Sequence, residues 1–411
     1  MSEVLLERAR AEELDAADPL ACFRARFALD DPSLIYLNGN SLGALPLATA
    51  RRIESVLHQE WGTALARSWD HWVDLPVRAG NAVGELTGAA PGQVVVTDNT
   101  TVNLYKLISA ALDARPGRRV IVTDRDNFPT DRYVMEGIVA QCGAELRMID
   151  TDIDAGLQPG GVRAAVGPDT AVVSLSHVAY RSGALADVPA ITAIAHEAGA
   201  LALWDLCHSA GAVPVELDGW DVDLAVGCTY KYLNSGPGAP AFLYVAARLQ
   251  ETLRQPVWGW FSQRDQFAMG PAYDPAPGIA KFMTGTPTIL GTAAVEESAG
   301  LLLEAGIKAM RAKSVQLTSY LIELADAWLA PLGCALATPR DPGRRGGHVT
   351  FRHPQAEQIV AQLAAAGVIT DYRTPERFRL GPAPLYTRFT DLWTAVATAR
   401  DIIESKLQGR S

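Results

Sequence analysis

Trp204-Asp205-Leu206-Cys207-His208-Ser209 opens the stretch that decides the fold, and Thr229-Tyr230-Lys231-Tyr232 with Asn234-Ser235-Gly236-Pro237-Gly238 closes it. An apolar run from Ala200 to Trp204 ends on Asp205, and a second, from Val222 to Cys228, ends on Thr229-Tyr230-Lys231. Short apolar runs bounded by turn and helix signals predict buried parallel strands. In open α/β sheets the functional residues gather at the carboxyl ends of such strands. Asp205 and Lys231 are therefore predicted to project into one crevice, with His208 one turn away from Asp205.

A lysine and a carboxylate so placed suit bound pyridoxal phosphate: the lysine holds the cofactor aldehyde and the carboxylate pairs with the ring nitrogen. Taken singly, each has a plainer reading. Asp205 is a common helix cap, and a lysine is commonly exposed. The cofactor reading rests on the two together, beside a Gly/Pro/Ser-rich loop.

Outward from this stretch the chain alternates strand and helix. Strands are predicted at Val94–Thr97, Arg119–Thr123, Leu146–Ile149 and Ala171–Leu175, with helices opening at Asp98-Asn99-Thr100-Thr101, Phe128-Pro129-Thr130-Asp131 and Asp187-Val188-Pro189. The fold class is α/β, with a mainly parallel, doubly wound sheet. Asn99-Thr100-Thr101 at a strand-to-helix junction is a candidate phosphate cradle, since a helix N-terminus offers free amides and a favourable dipole. An ordinary cap is the alternative there. Neither GxxxxGK[ST] nor GxGxxG occurs, so nucleotide-binding loops are not supported. Phe128 is placed to stack on a flat ring or to act as a core staple. His177 is isolated and reads as structural.

Upstream, residues 1–35 read as a helix and a polar arm, and Gly39-Asn40-Ser41-Leu42-Gly43 breaks regular structure. Residues 46–67 carry helical periodicity, and Arg67-Ser68-Trp69-Asp70-His71-Trp72 reads as an aromatic loop. Downstream, residues 255–290 are rich in Trp, Gly and Pro with little periodicity, which marks a functional or interfacial segment. Helices from Thr288 to Gly306 and on to Leu329 lead to a smaller α+β domain, with strands at Ala335–Ala337, His348–Phe351, Val368–Tyr372 and Phe378–Gly381 and helices at Pro354–Ala365 and Thr390–Leu407. Arg379 is its candidate carboxylate grip, a surface ion pair being the alternative. The division is an arm over 1–45 contributing to the small domain, a large cofactor domain over 46–290, and linking helices with the small domain over 291–411.

The 411 residues carry 48 % hydrophobic and 20 % charged side chains, ordinary globular composition, with a net charge of −10. That charge argues against a nucleic-acid partner. The five cysteines, Cys22, Cys142, Cys207, Cys228 and Cys334, have no metal-like spacing and fit a reducing compartment. No secretory signal and no long apolar span is read. A cytoplasmic protein with no metal and no membrane partner is expected.

The chain resembles the kynureninases, pyridoxal-phosphate enzymes of the aspartate-aminotransferase fold, over nearly its whole length. The motifs that carry the resemblance are Gly39-Asn40-Ser41-Leu42-Gly43, Thr101-Val102-Asn103-Leu104, Asn127-Phe128-Pro129-Thr130-Asp131, Ser174-Leu175-Ser176-His177-Val178, Tyr230-Lys231-Tyr232-Leu233-Asn234, Gly259-Trp260-Phe261 and Pro382-Ala383-Pro384-Leu385-Tyr386. The resemblance implies hydrolytic Cβ–Cγ cleavage of L-kynurenine to anthranilate and L-alanine, as in tryptophan degradation. It implies that Lys231 holds the cofactor aldehyde, Asp205 the ring nitrogen, His208 the phenolic edge and Phe128 the ring face. Thr100, Thr101 and Tyr230 would hold the phosphate, with Trp260 and Thr286 from a second subunit. Pro129, Thr130, Asp131 and Ser176 would complete the cofactor contacts. Tyr230 is the candidate proton donor near Cβ. Arg379 would hold the substrate carboxylate, and Asn40, Ser41, Trp69, Gly285 and Thr286 would line the substrate site. Trp, Gly and Thr at the last three positions resemble the bacterial branch and imply plain L-kynurenine over its 3-hydroxylated form. A homodimer with shared active sites is implied. A cysteine desulfurase-like lyase of the same fold and a catalytically silent protein on the same scaffold are the alternatives; a desulfurase needs a mobile cysteine, and Cys334 has no loop-like surroundings.

Overall fold

The computed structural model describes residues 7–408, the side chains of the last three excepted. Its centre is a seven-stranded sheet: β1 (Val94–Val96), β2 (Val120–Asp124), β3 (Glu145–Ile149), β4 (Thr170–Ser176), β5 (Leu201–Asp205), β6 (Leu224–Gly227) and β7 (Phe242–Val245). The order across the sheet is β1-β7-β6-β5-β4-β2-β3. Only β7 runs against the others, pairing antiparallel with β1 and β6. Every residue of β2, β5 and β6 is buried, as expected of strands covered on both faces. Strand β7 escaped the sequence reading, although Ala241 to Val245 is an apolar run between turn and helix signals.

Because six strands share one direction, the turns after β1, β2, β4, β5 and β6 open along one edge. These turns carry the candidate residues. Asn99 caps the helix Thr100–Asp113, its side chain accepting from Val102 N at 3.0 Å. Pro129 starts the helix Pro129–Cys142, which ends at Gly143 with φ +65°. Asp187 caps Val188–Glu197 by accepting from Ala190 N. Each helix begins where local chemistry satisfies its free amides.

The C-terminal part carries a four-stranded antiparallel sheet: β8 (Ala335–Leu336), β9 (Val349–Arg352), β10 (Asp371–Arg373) and β11 (Arg377–Leu380), ordered β10-β11-β9-β8. The single strand read over Val368–Tyr372 is two. Val368–Ile369 pairs in parallel with Ile35–Tyr36, whereas Asp371–Arg373 joins β11, so the chain changes partner at Thr370. Ala11, Ile35 and Leu37 pack in one apolar cluster with Leu317, Phe351, Val368, Phe378 and Phe389.

Two further expectations change in the N-terminal region. The helix predicted over 46–67 is α-helical over Leu47–Ser55, then widens into a π-helix over Val56–Ala64. On that wide stretch Glu60 gathers Arg52, Trp72 Nε1 at 2.6 Å and His71 Nε2 at 3.0 Å. The aromatic loop is a short helix, Trp69–Trp72, held by the same carboxylate. No described helix is long and apolar enough to cross a membrane.

Candidate active site

The turns along the sheet edge enclose a cavity lined by Asn99, Thr100, Thr101, Phe128, Thr130, Asp131, Asp205, Cys207, His208, Cys228, Tyr230 and Lys231. A larger surface cavity, about 570 Å³, lies near Tyr105 and Pro256. Its Arg115, Arg118 and Arg119 are already committed to the carbonyls of Gly199, Thr170, Ala198 and Cys142, so it offers little free chemistry.

Lys231 Nζ lies 3.3 Å from His208 Nε2, with the Phe128 ring centre 5.8 Å away and that of Tyr230 at 6.0 Å. Burial, with the charge of Lys231 next in weight, pushes His208 well below the ordinary histidine range, so it stays neutral beside the amine. Asp205 is fixed at the end of β5: Oδ1 accepts from Cys207 N at 2.7 Å and Oδ2 from Ser176 Oγ at 3.4 Å. The single Ser176 hydroxyl proton is shared with Asn127 Oδ1, which accepts at the shorter 2.8 Å. Asp131 is 1 % exposed, and its Oδ2 has no hydrogen-bond partner. Burial and then the neighbouring Asp205 charge raise its carboxyl well above the usual range. Burial also raises the Tyr230 phenol, which stays protonated at neutral pH.

The donor set suits pyridoxal phosphate on the chain's own features. One end of the cavity is the amide-rich start of the helix Thr100–Asp113 with two threonine hydroxyls, a site for a phosphate. The other end holds two carboxyl groups, one with an unused buried oxygen, for a protonated ring nitrogen. An amine and an aromatic face lie between them.

The glycines of the Gly39–Gly43 segment have a structural cause. Gly43 N donates to Tyr230 O at 2.8 Å, and a Cβ on Gly43 would stand 2.3 Å from Lys231 O. At the other end Gly39 N donates to Gly381 O. The segment thus wedges the lysine turn against the strand β11 that bears Arg379.

Arg379 is not poised as a free grip. It is 1 % exposed, and its Nε donates to Asp371 Oδ1 at 2.7 Å while Nη2 meets Asp371 Oδ2 and Nη1 the carbonyl of Tyr180. In the amide orientation that satisfies both groups, Asn40 Oδ1 accepts from Arg379 Nε and Nη2, each at 3.1 Å. Ser41 is tied through its amide to Asn38 O. Trp69, Trp260, Gly285 and Thr286 do not line the Lys231 cavity. Trp69 packs on Trp72 and Phe261, and Trp260 is 39 % exposed against Phe261 and Phe267. His177 is buried edge-on to Trp220, lowered by burial to about 4, and neutral.

Sequence reading missed Cys207 and Cys228 as wall residues, although both adjoin quoted site residues. It also missed His348, whose ring centre lies 5.8 Å from that of His208 and whose two ring nitrogens are buried without hydrogen-bond partners. Nothing local in the sequence marks it, because β9 brings it in from 140 positions beyond His208.

Comparison with known proteins gives the family. A kynureninase of Pseudomonas fluorescens is 46 % identical over 401 residues, covering 96 % of this chain and 94 % of that protein. A kynureninase of Burkholderia pseudomallei (strain 1106a) is 46 % identical over 407 residues, covering 97 % and 96 %. The chain belongs to the kynureninase family. The family model for the kynureninase C-terminal domain matches residues 310–399, and that for the DegT/DnrJ/EryC1/StrS aminotransferase family matches residues 81–216. Among solved structures, the apo cysteine desulfurase of Thermococcus onnurineus NA1 superposes with a TM-score of 0.81 at 18 % identity, covering 93 % of this chain and 98 % of that one. A cysteine desulfurase of Escherichia coli gives 0.80 at 18 %, covering 94 % and 98 %. At such identities these likenesses speak for the kynureninase chain's fold alone.

Proposed function

We propose that the Lys231 cavity is where this kynureninase-family chain binds pyridoxal phosphate and cleaves L-kynurenine, with the residues around it in the roles below. The chain is a pyridoxal-phosphate enzyme whose activity is the hydrolysis of L-kynurenine to anthranilate and L-alanine. The observation that carries the site reading is Lys231 and Asp205 at the ends of adjacent parallel strands, in one cavity with a helix N-terminus.

Bound there, the cofactor supplies an electron-withdrawing ring joined through its aldehyde to the substrate amine. The chain supplies the rest. Lys231 Nζ would hold the cofactor aldehyde and, as a free amine, would take the substrate α-proton. The neutral His208 beside it can accept a hydrogen bond at Nε2 without adding a second cation. Asp205, fixed by Cys207 N and Ser176, would pair with the protonated ring nitrogen, and the buried Asp131, its carboxyl raised by burial and then by the Asp205 charge, lies beside it. Thr100 and Thr101 hold the phosphate. Once water has added to the γ-carbonyl, the Cβ–Cγ bond breaks, the carbonyl carbon keeps the water oxygen and leaves as anthranilate, and the electron pair stays on Cβ, where the protonated Tyr230 Oη would be the donor. General acid help of this kind contributes ~10²–10⁴-fold.

Arg379, oriented by Asp371, Asn40 and the Tyr180 carbonyl, would hold the α-carboxylate through the one Nη1 N–H those partners leave free. Trp69, Trp260, Gly285 and Thr286 serve the site of a second copy in a homodimer. That none of them lines the chain's own cavity supports this reading, as do the exposed Trp61, Leu65, Trp258, Phe267 and Met269 in the same two segments. A Trp–Gly–Thr wall gives plain L-kynurenine the preference.

The test is the visible spectrum of the purified protein, followed by addition of L-kynurenine and anthranilate fluorescence. Lys231→Ala should lose the bound-cofactor absorbance and nearly all turnover. Retention of both would move the reaction to another cavity. Sulfide release from cysteine without anthranilate would favour the desulfurase reading.

A further inference from the structure

Lys106 takes no part in the cavity, yet among the described residues it is the most deeply buried lysine, 0 % exposed on the inner face of the helix Thr100–Asp113. On the buried side of the helix stand Asn103, Leu104, Leu107, Ile108, Ala110 and Ala111, and Asn103 is spent on the Thr97 carbonyl. A buried ammonium is costly unless every partner is in place, and an apolar side chain of similar volume would commonly be no less stable. What the cation does here is join two segments. Nζ donates to Asp98 Oδ2 at 2.7 Å and to the carbonyl of Phe282 at 2.7 Å.

Asp98 is the residue that turns β1 into the cradle. Its backbone is left-handed, φ +50°, and its carbonyl accepts from Ala241 N at 2.9 Å. Its carboxylate also accepts from Thr97 Oγ1 at 3.1 Å and from Thr284 Oγ1 at 2.8 Å. Thr284 in turn is fixed by Phe261 N on its carbonyl and by Gly259, where a Cβ would meet that carbonyl at 2.4 Å. The start of the phosphate-holding helix and the Phe282–Thr284 segment are thereby locked to each other through one ammonium and one carboxylate.

We propose that Lys106 is a positioning residue for cofactor affinity: by clamping Asp98 to the Phe282 carbonyl it sets the placement of Asn99–Thr101 and so the grip on the cofactor phosphate. This rests on the reading of Thr100 and Thr101 as phosphate-holding residues. Loss of the clamp acts on binding of the phosphate, while the groups at the reacting atoms stay in place. Burial lowers the affinity of the Lys106 amine for its proton, and the charge of Asp98 opposes that.

The experiment uses the full chain loaded with cofactor, in three variants. Lys106→Met with Asp98→Asn removes both charges together and leaves no lone buried ion. Thr284→Val removes one hydroxyl and no charge. Thr100→Ala with Thr101→Ala tests the phosphate reading itself. The cofactor Kd is taken from absorbance titration, with pyridoxal lacking the phosphate as a second ligand, and kcat is measured at saturating cofactor.

The Lys106/Asp98 variant should raise the Kd of pyridoxal phosphate at least tenfold, leave that of pyridoxal within threefold, and keep kcat within threefold. Thr284→Val should raise the Kd two- to fivefold in the same selective way. A merely structural role would weaken both ligands alike. If the threonine variant weakens phosphate binding but neither clamp variant does, the proposal is overturned and the phosphate reading stands. If the threonine variant leaves the Kd unchanged, the phosphate reading itself is overturned and the proposal goes with it. Should the double variant fail to fold, Thr284→Val decides alone.

Discussion

Replacing Gly43 by alanine adds one methyl group to the protein and should disable it. The added Cβ would stand 2.3 Å from Lys231 O, 2.3 Å from Asn234 Oδ1 and 2.7 Å from Asn234 Cα. Two of these three atoms are backbone, so no side-chain rotation relieves the contact. Ordinary contact begins near 3.4 Å, and a shift of about 1 Å is needed in a close-packed interior. The segments that can move are Gly39–Gly43 and the turn that carries Lys231, already joined by the 2.8 Å bond from Gly43 N to Tyr230 O. Overpacking of this kind costs about 1–3 kcal/mol, and a 1 Å displacement at a reacting group costs ~10²-fold in rate.

Gly43→Ala is therefore expected to lower kcat/KM about 10- to 100-fold and weaken the bound-cofactor absorbance, with far-ultraviolet circular dichroism unchanged. The control is Gly137→Ala. That glycine lies exposed in the helix Pro129–Cys142 with nothing within 4 Å of a new Cβ. Alanine there should stabilise by about 0.5–1 kcal/mol and leave activity alone. A Gly43→Ala enzyme with kcat/KM within threefold of the parent and an unaltered spectrum would refute the reasoning, because the lysine turn would then tolerate the displacement that the packing forbids.

Two more outcomes follow from charged groups. Arg379→Lys cannot keep the two-point pairing with Asp371 and still offer donors to a carboxylate, so KM for L-kynurenine should rise at least tenfold, on the order of 1.4 kcal/mol or more, with a smaller change in kcat. An unchanged KM would place the carboxylate elsewhere. Glu60 is pulled two ways: burial raises its pKa, but hydrogen bonds from Arg52, Trp72 and His71 prevail and hold it at about 2, against an ordinary 4.5. Its folded pKa lies below its unfolded one, so its contribution to stability is present above about 4.5 and is lost as pH falls towards 2. Urea midpoints of Glu60→Gln and the parent should differ at pH 6, with the gap narrowing below about pH 4.5 and closing only towards pH 2; a constant gap over that range would sink the assignment.

What the sequence made legible follows the range of the interactions involved. Asp205, Tyr230 and Lys231 were readable because each closes an apolar run, and burial on both sheet faces writes such runs into adjacent residues. Asn99, Pro129 and Asp187 were readable because a helix start is satisfied by residues within three positions of it. The partner of Arg379 was not readable. Asp371 is eight residues away, but it reaches the guanidinium only because the chain switches sheets at Thr370, a change that no local pattern announces. The same holds for His348 behind His208 and for Lys106 under Asp98. The lysine sits at a regular inward position of its helix, where the pattern calls for leucine, and its reason for being there is a carbonyl 176 residues downstream. Glycines divide in the same manner. Gly143 ends a helix and can be read locally, whereas Gly43 is required by the Lys231 backbone, which sequence alone places nowhere near it. The residues that gather in the Lys231 cavity were thus legible where a strand or helix end presents them. Those that hold them in position come from distant segments, and only the assembled fold shows why a glycine, an aspartate or a buried lysine stands where it does.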